Sequence, residues 1–171
     1  STNYMYDLQY NFSKSTTYEF MGNLDFDIKL TDWLTFSSVN NIKAQLHGSK
    51  SYSDPRSSSA EGVKGRIQEY RSEMLRRYTN QLLRFNKYID KHSINALLAY
   101  EFNDYSAKTV TATGTGFVPG FEILDVVAKP EGTKGGVSEW AVQSVFSNIN
   151  YAYDNKYLAQ LSLRRDGASN F

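Results

Sequence analysis

From Tyr18 the chain alternates apolar and polar side chains. Tyr18, Phe20, Leu24, Phe26, Ile28 and Leu30 fall on one side, broken only by Gly22, while Glu19, Asn23, Asp25, Asp27 and Lys29 fall on the other. That pattern predicts a β-strand with one greasy face and one charged face. Thr31-Asp32 reverses the chain, and Trp33 to Leu46 repeats the alternation, with Leu34, Phe36, Ile42, Ala44 and Leu46 set against Thr35, Ser37, Asn41, Lys43 and Gln45. The pair predicts a hairpin with arms of about 13 residues, longer than the usual strand of a globular protein.

The next stretch, from His47 to about Ser72, has no sustained period. With Gly48-Ser49-Lys50-Ser51, Ser53-Asp54-Pro55 and Ser57-Ser58-Ser59 it predicts a long polar loop. A third strand is predicted over Met74 to Tyr88, with Leu82 and Leu83 competing for the apolar face, and a fourth over Ser93 to Tyr105, after a turn at Asp90-Lys91-His92. Ser106 to about Gly136, rich in Thr, Gly and Pro, predicts a second long connection whose apolar centre is Phe121 to Val127. A fifth strand from Ser138 to Tyr153 and a sixth from Tyr157 to Arg165 follow, joined by Asp154-Asn155-Lys156.

Tight turns therefore alternate with connections of roughly 25 to 35 residues, the asymmetry of outer-membrane barrels, with short periplasmic turns and long external loops. A soluble β-sandwich usually mixes loop lengths at both ends. The predicted strands are long enough for the roughly 9 to 11 residues that cross a bilayer at a tilt. Trp33, Tyr88, Tyr153 and Tyr157 lie beside the short turns, where an interfacial girdle wants rings with an apolar body and a polar tip. Ordinary strand aromatics in a soluble sheet would read the same way, so periodicity leaves both open.

Composition adds little to that choice. Thirteen tyrosines and three prolines suit strands. A formal net charge of +1 provides no broad field for nucleic acid. The chain has no cysteine, which excludes a disulfide framework, a thiolate nucleophile and Cys-ligated zinc. No apolar run approaches the roughly 18 residues of a membrane-spanning helix.

The run Asn148-Ile149-Asn150-Tyr151-Ala152-Tyr153-Asp154-Asn155-Lys156-Tyr157, continued by Arg164-Arg165-Asp166-Gly167-Ala168-Ser169-Asn170-Phe171, resembles a signature of the SusC/RagA family of TonB-linked outer-membrane transporters. In that family an N-Y-x-Y strand, a D-x-K-Y turn and an R-R-D-G-[SA]-S-x-F segment follow one another. Thr31-Asp32-Trp33-Leu34-Thr35-Phe36 and Asn95-Ala96-Leu97-Leu98-Ala99-Tyr100-Glu101 are similar to other turn and strand patterns of the family. The resemblance implies an all-β fold: an antiparallel transmembrane barrel of about 22 strands, of which this chain supplies about six. It also implies that residues 1–171 are part of the barrel domain, that the plug and the TonB-contacting segment lie outside this chain, that residues 1 to about 16 end a preceding external loop or strand, and that Phe171 stops where the next external loop begins.

The function implied is import of an oligosaccharide or similar nutrient across the outer membrane of a Gram-negative cell, without catalysis or cofactor. Partners implied are a SusD-like surface lipoprotein over loops 47–72 and 106–137, TonB through the missing N-terminal part, an oligosaccharide or peptide substrate, and membrane lipid. A passive porin or adhesin barrel and a soluble carbohydrate-binding β-sandwich are the alternatives. The sandwich predicts that the apolar face of Tyr18 to Leu30 packs on a second sheet.

On the barrel reading, Leu24, Phe26, Ile28, Leu161 and Leu163 face lipid, while Asp25, Asp27, Gln160 and Arg164 face the lumen. Asp25, Asp27 and Glu19 could also be read as acid/base carboxylates on one strand face, but Lys29 and Lys43 share that side and favour solvated or salt-bridged residues. Arg164 and Asp166, two apart on a strand, predict a rim-fixing ion pair. His47, at a loop edge, and His92, in a turn, have no convincing metal partner in sequence and read as solvated. Tyr52, Tyr70, Tyr105, Phe117 and Phe121, among Asp, Asn, Arg and Ser, are the candidate substrate- or partner-contacting loop residues.

Overall fold

The structure, a computed structural model, describes residues 4–170. Six strands form one sheet in sequence order: β1 (Phe12–Thr31), β2 (Leu34–Ser53), β3 (Arg66–Ile89), β4 (His92–Thr115), β5 (Lys129–Tyr153) and β6 (Tyr157–Asn170). A short helix α1 (Tyr4–Tyr10) precedes them. The sandwich expectation fails here, because all six strands belong to one sheet and Phe20, Leu24 and Ile28 are 62%, 64% and 46% exposed.

Each tight turn has its own local chemistry. Trp33 N donates to Thr31 Oγ1 at 3.3 Å, closing the first. Asp90, Asp154 and Asn155 take positive φ in the other two, a conformation that Asp and Asn tolerate better than most residues. The β5–β6 register runs from Tyr153 opposite Tyr157 out to Trp140 opposite Asn170.

The long connections are shorter than the sequence predicts. Within these two stretches only residues 54–65 and 116–128 lie outside the strands, so most of 47–72 and 106–136 continues the ladder. His47 stands within β2 and His92 opens β4, not in a loop edge or a turn. The ladder is made by backbone groups, so the polar extensions continue it without an apolar period. Of the stretch expected to end a preceding loop or strand, Tyr6 and Tyr10 lie on α1 and Phe12 to Thr16 belong to β1; Phe171 lies outside the described residues.

The chain divides into two compact units. The first comprises Ser1–Glu19, Gln45–Met74 and Ala107–Val137. Its core is Tyr52, Ile67 and Phe117, with Phe12, Leu124, Val126 and Val127 packed around it. Tyr52 stacks on Phe12 at 5.1 Å between centroids and meets Phe117 at 5.4 Å. Gly65, at φ +90°, lets the turn pass under these rings: a Cβ there would sit 2.6 Å from the Phe117 ring and 2.8 Å from Pro55. Phe117 N donates to Lys64 O at 3.1 Å, tying the two connections together.

The second unit comprises Phe20–Ala44, Leu75–Ser106 and Ser138–Phe171. It has two unlike faces. On one, Phe20, Leu24, Phe26, Ile28, Ile42, Leu98, Ile149, Leu161 and Leu163 are all exposed. The other is the polar face described next.

Candidate functional site

The β5–β6 register fixes the sidedness. Ile149 lies opposite Leu161, and Tyr153 opposite Tyr157, so these share the apolar face; Asn150 opposite Gln160, Asn148 opposite Ser162, and Ser144 opposite Asp166 share the polar one. Leu158, the apolar exception in β6, faces Ala152 on the polar side. The polar face is laced by side-chain hydrogen bonds. Asn148 Nδ2 donates to Ser162 Oγ and Asn150 Nδ2 to Asn148 Oδ1, both at 2.7 Å. Tyr78 donates to Glu101 Oε2 at 3.2 Å, and Arg84 Nη1 to Ser37 Oγ at 2.9 Å.

The predicted lumen residues occupy this arrangement as follows. Arg164 Nε donates to both Asp166 oxygens, at 2.9 and 3.0 Å, and its Nη2 approaches Ser144 Oγ at 3.5 Å. Gln160 projects beside Asn150 without a charged neighbour in the register. Asp25 accepts from Asn40 N at 3.2 Å, and Asp27 follows it two places along the exposed strand β1.

Sequence periodicity missed a polar knot on the apolar face. Asn40 Oδ1 accepts from Thr79 Oγ1 at 2.7 Å and from Gln81 Nε2 at 3.3 Å, while Asn40 Nδ2 donates to Leu24 O at 3.0 Å and Ser38 Oγ at 2.8 Å. These groups satisfy one another, which lowers the cost of placing them in apolar surroundings. The knot also settles the register of β3: Leu83 shares the parity of Thr79 and Gln81, so it, and not Leu82, takes the apolar face. A shallow depression of about 530 Å³ beside the knot is lined by Gly22, Leu24, Ile42 and Phe102 among others.

Aromatics cluster at the tight turns. Trp33 meets Phe85 edge-on at 5.1 Å, with the Lys87 ammonium 5.1 Å from its ring. Tyr153 and Tyr157 stack across the strands at 6.5 Å, and His92 Nδ1 and the Tyr151 hydroxyl share a hydrogen bond of 2.6 Å. Tyr88, 76% exposed, has the parity of Arg84 and Tyr78 and so stands on the polar face, apart from the other three.

The five candidate contact aromatics do not form one site. Tyr52 and Phe117 are buried, 4% and 8% exposed, and their rings belong to the core of the first unit. Tyr70 and Tyr105 lie on β3 and β4 instead of in loops, the former against the His47 ring at 5.9 Å. Of the five, Phe121 alone is exposed, at 54%, in the 116–128 connection.

The 54–65 connection is organised by Asp54. Its Oδ1 accepts from Arg56 N and Arg56 Nε, both at 2.9 Å, its Oδ2 from Arg56 Nη2 at 3.2 Å, and its backbone N donates to Asn11 Oδ1 at 2.8 Å. The Arg56 guanidinium thereby holds the buried Asp54 carboxyl below the usual carboxylate range, against the opposing effect of burial. A depressed folded value means the carboxylate stabilises the turn fully above the ordinary carboxylate pKa, and that this is lost as pH falls through the lower folded value. Amide protection at Arg56 and Ser57 is therefore expected to hold from neutral pH to about pH 4 and to fall below it. Asp54→Asn should abolish that dependence, as read by hydrogen exchange.

No family profile matches the chain. Among curated proteins it is 29% identical over 92 residues to TonB-dependent receptor P3 of Formosa agariphila, a match covering 52% of this chain and 9% of that relative. Among solved structures it superposes on the RagAB peptide transporter with a TM-score of 0.83 at 19% identity, covering 96% of this chain and 19% of the other. The RagAB peptide importer in its open-open state gives 0.82 at 20% identity, over 96% and 19% of the two chains. Its closed-closed state gives 0.76 at 20%, over 94% and 18%. The chain thus spans about a fifth of the length of these structures. In fold it is a six-stranded antiparallel sheet that superposes on a section of the RagAB transporter.

Proposed function

We propose that this chain is wall from a SusC-like TonB-dependent outer-membrane transporter that imports an oligosaccharide or similar nutrient, lidded by a SusD-like surface lipoprotein. The observation that carries the reading is the one-sided sheet: an exposed apolar face backed by a hydrogen-bonded polar face, in the strand arrangement of a transporter barrel. Exposed apolar area on that scale needs a covering phase, and lipid is the one a barrel exterior meets. The polar face lines the lumen, with Asp25, Asp27, Gln160 and Arg164 on it. No bond is made or broken in this function; ligand binding is followed by energised displacement of a plug.

Peptide as the substrate is the second reading, favoured by the peptide-transporting RagAB structures that share the fold. The test is uptake by cells expressing the full-length transporter, with and without TonB and the neighbouring lipoprotein. The proposal expects uptake to vanish without TonB. Undiminished uptake would instead mark a passive porin.

A further inference from the structure

We propose that Trp140 and Tyr105 form a sugar-stacking shelf on the polar face, flanked by Arg76 and Asn103, that takes a neutral oligosaccharide. The inference rests on the transporter reading and names the substrate class for that lumen.

Trp140 is the tryptophan that the membrane pattern does not explain. Its parity in β5 is that of Ser144, Asn148 and Asn150, which lie opposite Asp166, Ser162 and Gln160, so it stands on the polar face, where an interfacial girdle residue would not. Nor does it belong to the buried cluster of Tyr52, Ile67 and Phe117. The Tyr105 ring lies beside it at 5.9 Å between centroids and 13° between planes, and both residues are partly exposed.

Polar groups converge on the pair. The Arg76 guanidinium stands 5.8 Å from the Trp140 centroid, and its Nε donates to Asn103 Oδ1 at 3.4 Å. Near-parallel rings, with a guanidinium over the indole and an amide beside it, match a pyranose, which offers a flat C–H face and a rim of hydroxyls. Peptide capture by strand addition needs an open strand edge, and β4 and β5 are each paired on both sides. Trp140 lies about 13 residues before Tyr153 along β5, about 30 Å above the tight turns for a strand tilted about 45°. That height is the mouth of the barrel, where an arriving ligand is met first.

The test uses the full-length transporter in detergent. Calorimetric titration with short neutral glucan, mannan, xylan and galactan oligosaccharides, and with a pool of short peptides, is compared for wild type, Trp140→Ala, Trp140→Phe and Tyr105→Ala. One glycan class is expected to bind, Trp140→Ala to weaken it on the order of tenfold, and Trp140→Phe to keep most of the affinity. Barrel integrity is read separately, as a heat-dependent shift in gel mobility. An intact barrel that binds no glycan, binds peptides alone, or binds glycan equally well as Trp140→Ala would overturn the shelf and leave the transporter standing. A wild-type protein without the heat shift would overturn both.

Discussion

Phe26→Arg is expected to stop the barrel assembling, while Asp25→Arg is tolerated. The two positions are adjacent in β1 and therefore point to opposite faces. Phe26 sits among Leu24 and Ile28, with the Phe36 ring 6.2 Å away, and is 42% exposed in this chain. Lipid is the medium that would cover it, and a guanidinium near the bilayer midplane costs about 2 to 4 kcal/mol. On the proposed barrel reading the side chain at position 25 faces a water-filled lumen, where a change of charge costs far less. The measurement is the heat-modifiable folded fraction recovered from outer membranes for each full-length variant. Equal recovery would overturn the assignment of faces.

The second large effect is expected from Phe117→Ala. Phe117 is buried against Tyr52, and its ring occupies the space that Gly65 leaves by having no side chain. Removing it deletes one of the three central side chains of a small core, and Phe→Ala changes in cores cost about 3 to 5 kcal/mol. Because this core belongs to the unit that holds the connections, the loss should be local. Limited proteolysis is expected to cut within residues 54–65 and 116–128 in the variant and not in the wild type, with barrel mobility on gels unchanged. Resistance equal to wild type would show that the connections are held by their hydrogen bonds alone.

The tight turns and the facing parity of β1, β2, β4 and β6 were legible in the sequence because one face of each strand is apolar over a sustained run. Residues 47–53, 66–72, 106–115 and 129–137 were not, because they carry no sustained alternation and their Ser, Gly and Lys look like loop, even though Tyr52 and Ile67 within them are core residues. The aromatics misled for a related reason. Tyr52 and Phe117 sit among polar residues in sequence, yet they close the small core that holds the connections in place. Trp140 escaped because Val142, Val145 and Phe146 put apolar residues on both parities of β5, hiding which face the indole takes. The Arg164–Asp166 pair was readable directly, since two places apart on a strand is the same face.

On the proposed reading the apolar face of the second unit is covered by lipid. That reading is tested most directly by expressing the full-length protein and asking whether it fractionates with the outer membrane, needs detergent to stay dispersed, and shifts in gel mobility on heating. All three are expected of a membrane barrel, with a β-rich circular dichroism spectrum in detergent. A protein that stays monomeric and soluble without detergent would contradict the reading.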